Sequence, residues 1–269
     1  MKYSFHYFLL VLILLPACWA KKEHTAPDEI IETMHITDIY KYINPDEYNN
    51  NTLVMFDIDN TIVTSQTDLG SDQWFDAMYE KKMAEKNIDT NQAIQEILPT
   101  YKQVLMKTIY LPVEPETVSV IKNLQEKGVM VIGLTARSLD LAYRTAEQLH
   151  DVDIHFDNTT HHECPIKYGD DKPALYLDGI IFSGNYNKGE VLVSWLKQVH
   201  YTPKKVIFID DKLKNVRSVE QALHKRDFPF YGLRYGFLDE HRKNFDWNTT
   251  QKELELFLKK YPESRPIPA

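Results

Sequence analysis

Two pairs of acids carry the chemistry this chain could do. Asp57 and Asp59 stand two apart in Asp57-Ile58-Asp59-Asn60-Thr61, directly after an apolar run, and Asp210-Asp211 stand side by side after another. Residues two apart on a strand or strand end project to the same side, so Asp57 and Asp59 can face one space. Adjacent like charges repel, and a fold gains little by placing Asp210 next to Asp211. A hard cation would offset that repulsion, and Mg²⁺ takes one or two carboxylates together with water and phosphate oxygens. Thr135, in Leu134-Thr135-Ala136-Arg137, adds a hydroxyl that can hydrogen-bond an anion. Lys188, in Asn187-Lys188-Gly189, adds a cation able to stand between phosphate and carboxylates. Taken singly, each also has a plain reading: an Asx turn leaving a strand, a solvated acidic turn, a helix cap, a solvated loop lysine. Their order and shared context are the argument.

That context is a set of short strands. Residues 52–58 (TLVMFDI), 129–135 (VMVIGLT), 206–210 (VIFID) and 230–233 (FYGL) are near-continuously apolar, as parallel strands covered on both faces require. Helical stripes lie between them: Val118, Ile121 and Leu124, with Gly128 placed to end that helix; Leu139, Ala142, Ala146 and Leu149; Val191, Leu192, Trp195, Leu196 and Val199; Val216, Val219 and Leu223. Strands alternating with amphipathic helices predict an α/β fold, a Rossmann-like parallel sheet built from βαβ units. The acids, the hydroxyl and the lysine then fall at strand ends or at a helix start, where open α/β sheets bind ligands.

These residues in this order resemble the motifs of the haloacid dehalogenase-like superfamily of phosphotransferases. Asp57-x-Asp59-x-Thr61 resembles its first motif, Thr135 its second, Lys188 its third and Asp210-Asp211 its fourth, and the likeness spans residues 52–233. The resemblance implies a Mg²⁺-dependent phosphomonoesterase acting on a small phosphorylated substrate. Asp57 would attack phosphorus to give an aspartyl-phosphate. Asp59 would protonate the leaving oxygen and then activate water. Thr61, Thr135 and Lys188 would hold the phosphate. Asp57, Asp59 through its backbone carbonyl, and Asp210 would bind the metal, with Asp211 beside them or as an alternate ligand. The second acid of the first motif favours phosphatases within that superfamily. Phosphotransfer to an alcohol, and an exported binding or effector protein that keeps the fold without turnover, stay open as alternatives.

Two segments interrupt the alternation. Residues 63–111 are helical in pattern, with Trp74, Phe75, Met78, Ile97, Val104 and Leu105 among their apolar positions, and sit where this superfamily places a cap over its active site. Residues 151–187 are expected as a second insertion, a flap, with a hairpin at Asp178-Gly179. Core sequence is then expected over 52–62 and 112–260, a helical extension over 21–51 and a disordered tail over 261–269. The layout is partly similar to secreted class B and class C acid phosphatases. Trp74-Phe75 reads either as the apolar face of a cap helix or as a stacking platform. His161-His162-Glu163-Cys164 reads as a polar loop or as a zinc site, although four adjacent ligands do not easily reach one tetrahedral ion.

The chain has 269 residues, 43% hydrophobic and 26% charged, which excludes a fibrous, low-complexity or disordered chain. Its net charge of −8 and lack of a Lys/Arg block point away from a nucleic-acid polymer as partner. Two cysteines cannot form a disulfide scaffold. Lys2, the apolar residues 8–15 and then Pro16-Ala17-Cys18-Trp19-Ala20 read as a signal peptide over 1–20, because a membrane-crossing helix needs roughly 20 apolar residues. Leu15-Pro16-Ala17-Cys18 also resembles a lipoprotein box with Cys18 lipid-bearing. The expectation is export to the periplasm or beyond, with a membrane contact only if Cys18 is lipidated.

Overall fold

The structure, a computed structural model, describes residues 29–157, 163–168, 174–226 and 228–262. The expected signal peptide, Cys18, His161, His162 and positions 263–269 lie outside the described residues.

Four apolar runs become the middle of one sheet. In chain order the first elements are β1 (Glu29–Thr33), β2 (Thr52–Phe56), β3 (Val63–Ser65), α1 (Asp72–Lys86), α2 (Thr90–Leu105), β4 (Tyr110–Pro112), α3 (Thr117–Glu126), β5 (Met130–Thr135) and α4 (Ala142–His150). They are followed by β6 (Cys164–Ile166), β7 (Ala174–Leu177), β8 (Ile180–Phe182), α5 (Lys188–Gln198), β9 (Lys205–Asp210), α6 (Leu213–His224), β10 (Phe230–Tyr235), α7 (Asp239–Lys243) and α8 (Trp247–Lys260). Among the described residues an eight-stranded sheet runs β1-β10-β9-β2-β5-β8-β7-β6. It is parallel from β1 through β8, and β7 and β6 are antiparallel additions at its far edge.

Every residue of β2 and of β9 is buried. Alternation along them divides the core in two: Val54, Phe56, Ile207 and Ile209 pack on one face, Leu53, Met55, Val206 and Phe208 on the other. A sheet covered on both faces needs this doubly apolar strand, which explains the unbroken runs. From β2 the chain crosses by α3 to β5 on one side, then returns by α5 to β9 on the other. The reversal beside β2 opens a crevice at the carboxyl ends of β2, β5 and β9.

Residues 63–111 hold β3, helices α1 and α2, and the start of β4. The ends of this stretch leave and rejoin the core as the antiparallel pair β3–β4, with Val63 opposite Pro112. Trp74 is fully buried and tilts against Tyr101 at 5.9 Å, while Phe75 lies 4.7 Å from the same ring, so this pair packs α1 against α2.

Two segments differ from expectation. Residues 29–51 are not simply helical: β1 pairs in parallel with β10, from Glu29 opposite Tyr231 to Thr33 opposite Tyr235, and only then come 3₁₀ turns at Ile36–Tyr42 and Pro45–Glu47. Strand β1 covers an otherwise open sheet edge. The hairpin near residue 178 forms as expected, with φ of 51° at Asp178 and 77° at Gly179, the signs a two-residue hairpin turn requires. It is not a separate flap, because β8 pairs with β5 from Gly133 opposite Ile180 to Thr135 opposite Phe182 and so prolongs the central sheet.

Candidate active site

Asp57 follows β2 directly, and its backbone N–H donates to Ile209 O on β9 at 2.9 Å. Asp210 is the last residue of β9. The strand pairing therefore brings the two acids together from positions far apart in the chain. Lys188, the first residue of α5, joins them: its Nζ lies 2.7 Å from Asp57 Oδ1 and 2.8 Å from Asp210 Oδ2. All three side chains are buried.

Asp210 is held from several directions. The Lys212 N–H donates to Oδ1 at 2.7 Å, and Asn215 Nδ2 lies 3.0 Å from both oxygens. These donors belong to the entry and first turn of α6, where unpaired N–H groups and the helix dipole favour an anion. Asp211 accepts from Arg242 Nη1 at 2.7 Å through Oδ2, while its buried Oδ1 has no hydrogen-bond partner. Arg234 on β10 donates from Nε to the Asp211 carbonyl at 3.0 Å.

Burial, then the charge of Asp210, pushes the Asp57 carboxyl up to about 7, against the pull of Lys188. Asp211 is driven well above the ordinary carboxylate range by burial and then by Asp210, Asp72 and Asp57, which outweigh Arg242. Burial opposes the charge on Lys188, but Asp210 and Asp57 outweigh it and its pKa is raised. Lys188 and Arg242 together do not offset the burial and mutual repulsion of the acids.

Among the described residues, Asp57, Asp210 and Asp211 can each offer an oxygen within 4.8 Å of the others. An all-oxygen donor set, buried and excessively negative, with one orphaned carboxylate oxygen, fits a hard divalent cation such as Mg²⁺.

The remaining predicted residues divide. Thr135, buried at the end of β5, accepts from the Arg137 N–H at 3.1 Å through Oγ1, which leaves its own proton to donate. The Asp59 side chain does not join the carboxylate group; Arg137 takes it in a bidentate pair, Nε to Oδ2 at 2.8 Å and Nη2 to Oδ1 at 2.7 Å. Thr61, expected at the phosphate, is fully buried and accepts the Asp211 N–H at 3.2 Å. It therefore fastens one acidic loop to the other. The turn between them bends at Asn60, whose φ of 58° is the left-handed conformation asparagine tolerates best after glycine. Of the His161-Cys164 stretch, Glu163 accepts from the Tyr143 hydroxyl, and Cys164 Sγ accepts from Gln198 Nε2 at 2.9 Å.

Several residues of the site escaped the sequence reading. Asn215 had a usable signal, four residues past the acid pair at a helix start. Arg137 stands two residues past Thr135, close enough to be asked what it pairs with. Arg242 had none, since it lies on a short helix beyond the last strand. Lys212, next to the acid pair, reaches α1 instead, with Nζ 2.5 Å from Asp72 and 3.3 Å from Asp76. Between α1 and α7 a cleft of about 540 Å³ opens, lined by Gln73, Asp76, Ala77, Arg234, Asp239 and Arg242, and Arg242 connects it to Asp211.

Residues 32–260 match the model of the family described as "Protein of unknown function (DUF2608)". The chain belongs to the DUF2608 family. Within reach of this DUF2608 chain is the uncharacterised protein RP296 of Rickettsia prowazekii, 25% identical over 242 residues, covering 84% of this chain and 83% of that protein. A Chlamydia muridarum protein named "Putative outer membrane protein" is 24% identical over 229 residues, covering 85% of this chain and 84% of that one. Among solved structures, the haloacid dehalogenase-like hydrolase SP0104 of Streptococcus pneumoniae is similar with a TM-score of 0.44 at 15% identity, covering 67% of this chain and 93% of that one. Among the described residues no helix is long and apolar enough to cross a membrane.

Proposed function

We propose that this DUF2608 protein is a Mg²⁺-dependent phosphomonoesterase of the haloacid dehalogenase type, acting on a small phosphorylated substrate outside the cytoplasm. The observation that carries the reading is the placement of Lys188 between Asp57 and Asp210 at the sheet's reversal point, with Asp211 completing a buried three-carboxylate group. A purely structural ion pair does not call for two buried acids on one lysine with a third buried carboxylate, paired to Arg242, within reach of both. The setting outside the cytoplasm is supported by the residue pattern over 1–20.

Asp57, Asp210 and Asp211 would hold the cation, together with the Asp59 carbonyl. When bound, Mg²⁺ neutralises the phosphoryl oxygens and the nucleophile, whose mutual repulsion protects phosphate monoesters. An Asp57 oxygen attacks phosphorus, the bond from phosphorus to the leaving oxygen breaks, and Asp59 delivers a proton to that oxygen. Asp59 then takes a proton from water, the water oxygen attacks phosphorus, and the bond to Asp57 breaks to release phosphate. Lys188 and the Thr135 hydroxyl hold the phosphoryl group, and the cleft between α1 and α7 takes the rest of the substrate.

The test is hydrolysis of a phosphoester panel by the purified chain. Turnover that chelator abolishes and Mg²⁺ restores supports the reading. A folded protein that binds Mg²⁺ and turns over no member of the panel, with or without an added alcohol acceptor, contradicts it.

A further inference from the structure

Arg137 is buried, and every polar contact of its guanidinium leads somewhere specific. Nε and Nη2 grip Asp59, and Nη1 donates to Thr145 Oγ1 at 3.1 Å and to Gln148 Oε1 at 2.9 Å. Thr145 and Gln148 are three apart on α4 and so share one helix face. Gln148 then turns its Nε2 outward to the carbonyls of Leu105 at 2.9 Å and Thr108 at 3.3 Å, where the chain leaves α2 to rejoin the core. The Tyr110 ring lies against the guanidinium at 4.7 Å, and the Tyr110 hydroxyl donates to Gly70 O at 3.4 Å, where the chain enters α1. The two ends of the insertion pass so close that a Cβ on Gly70 would lie 2.4 Å from Thr108 Oγ1. A line of buried contacts therefore runs from Asp59 through Arg137 to both hinges of the cap.

We propose that Arg137 is a positioning residue that fixes the Asp59 carboxyl group and, through Gln148 and Tyr110, ties its place to both ends of the cap insertion, so that cap position and proton transfer at Asp59 change together. This rests on the reading of Asp59 as the proton carrier. A guanidinium suits the task because its planar fork meets a carboxylate in two parallel bonds and still has donors for Gln148 and Thr145. Lysine offers no such fork.

The experiment is pre-steady-state hydrolysis of para-nitrophenyl phosphate with Mg²⁺ by the full chain and by Arg137→Ala, Arg137→Lys and Gln148→Glu. The phenolate is a good leaving group that needs little help from an acid, so attack by Asp57 survives while water activation fails. Arg137→Ala is expected to release one equivalent of phenolate in a burst, then turn over about 100-fold more slowly, a typical general-base contribution. Phosphorylated Asp57 accumulates, added guanidinium restores turnover, and Mg²⁺ affinity by calorimetry is unchanged. Arg137→Lys gives the same burst and serves if the alanine variant does not fold. Gln148→Glu keeps an acceptor for Arg137 but sets a carboxylate against the two hinge carbonyls, and turnover falls about tenfold with Mg²⁺ affinity kept. Wild-type turnover in the Arg137 variants or in Gln148→Glu overturns the proposal, as does a loss without burst that is matched by lost Mg²⁺ binding. A wild-type chain without phosphatase activity overturns the functional reading itself, which separates the two failures.

Discussion

Lys188 Nζ sits 2.7 Å from Asp57 Oδ1, both groups buried, and the pair links the end of β2 to the start of α5. The same ammonium serves Asp210, so removing it strands two buried carboxylates. Lys188→Met is expected to cost the metal-free protein roughly 3–5 kcal/mol, the usual penalty for breaking a buried ion pair from one side. Added Mg²⁺ recovers a large part of that stability, but turnover stays at least about 100-fold down because the phosphoryl group has lost a fixed cation. Denaturant unfolding with and without Mg²⁺ checks the first statement and steady-state rates the second. Unchanged stability without Mg²⁺ contradicts this account of the lysine.

The raised pKa of Asp57, about 7 against an ordinary 3.8, makes both stability and metal binding pH-dependent. In the metal-free protein the native state holds this proton more tightly than the unfolded chain does. That contribution to stability is complete below pH 3.8 and is lost as pH rises through about 7. Mg²⁺ must displace the proton, so its apparent affinity is expected to strengthen about tenfold per pH unit up to about 7 and to level off above it. Calorimetric titrations between pH 5 and 8, with proton release measured in buffers of different ionisation heat, check the slope. Affinity flat across that range contradicts the assignment.

Gly189 is the second residue of α5, and its position depends on having no side chain. A Cβ there would lie 2.1 Å from Ser218 O and 2.7 Å from Ala222 Cβ on α6. Gly189→Ala is expected to force α5 off α6, at a cost of about 3 kcal/mol or more, the upper range for overpacking. Because Lys188 precedes it, activity falls with stability. A thermal melt and a rate measurement on the same sample check both, and a melt unchanged from wild type contradicts the packing.

How much of this was legible in the sequence depends on the range of the interaction. The runs that became β2 and β9 were readable because burial on both faces leaves a continuous apolar signature, and the acids were readable because they end those runs. The turn at Asp178-Gly179 was readable because its backbone angles demand those residues. The attachment of β8 to β5 was not, since parallel pairing between Gly133 and Ile180 leaves no local mark. Nor was β1, whose partner β10 lies at the other end of the chain. Asp59 was identified, but the guanidinium that holds it depends on where α4 packs, and Arg242 reaches Asp211 only because α7 folds back over the site.

The claim on which the rest depends is that phosphorus is transferred to Asp57. The most direct measurement is mass spectrometry of the Asp59→Asn variant after mixing with para-nitrophenyl phosphate and Mg²⁺, with Asp57→Asn as its partner. The account predicts one hydroxylamine-labile phosphoryl group on the peptide containing Asp57 in the first variant and none in the second. Turnover by the wild type with Asp57 never phosphorylated, or undiminished turnover in Asp57→Asn, would contradict it.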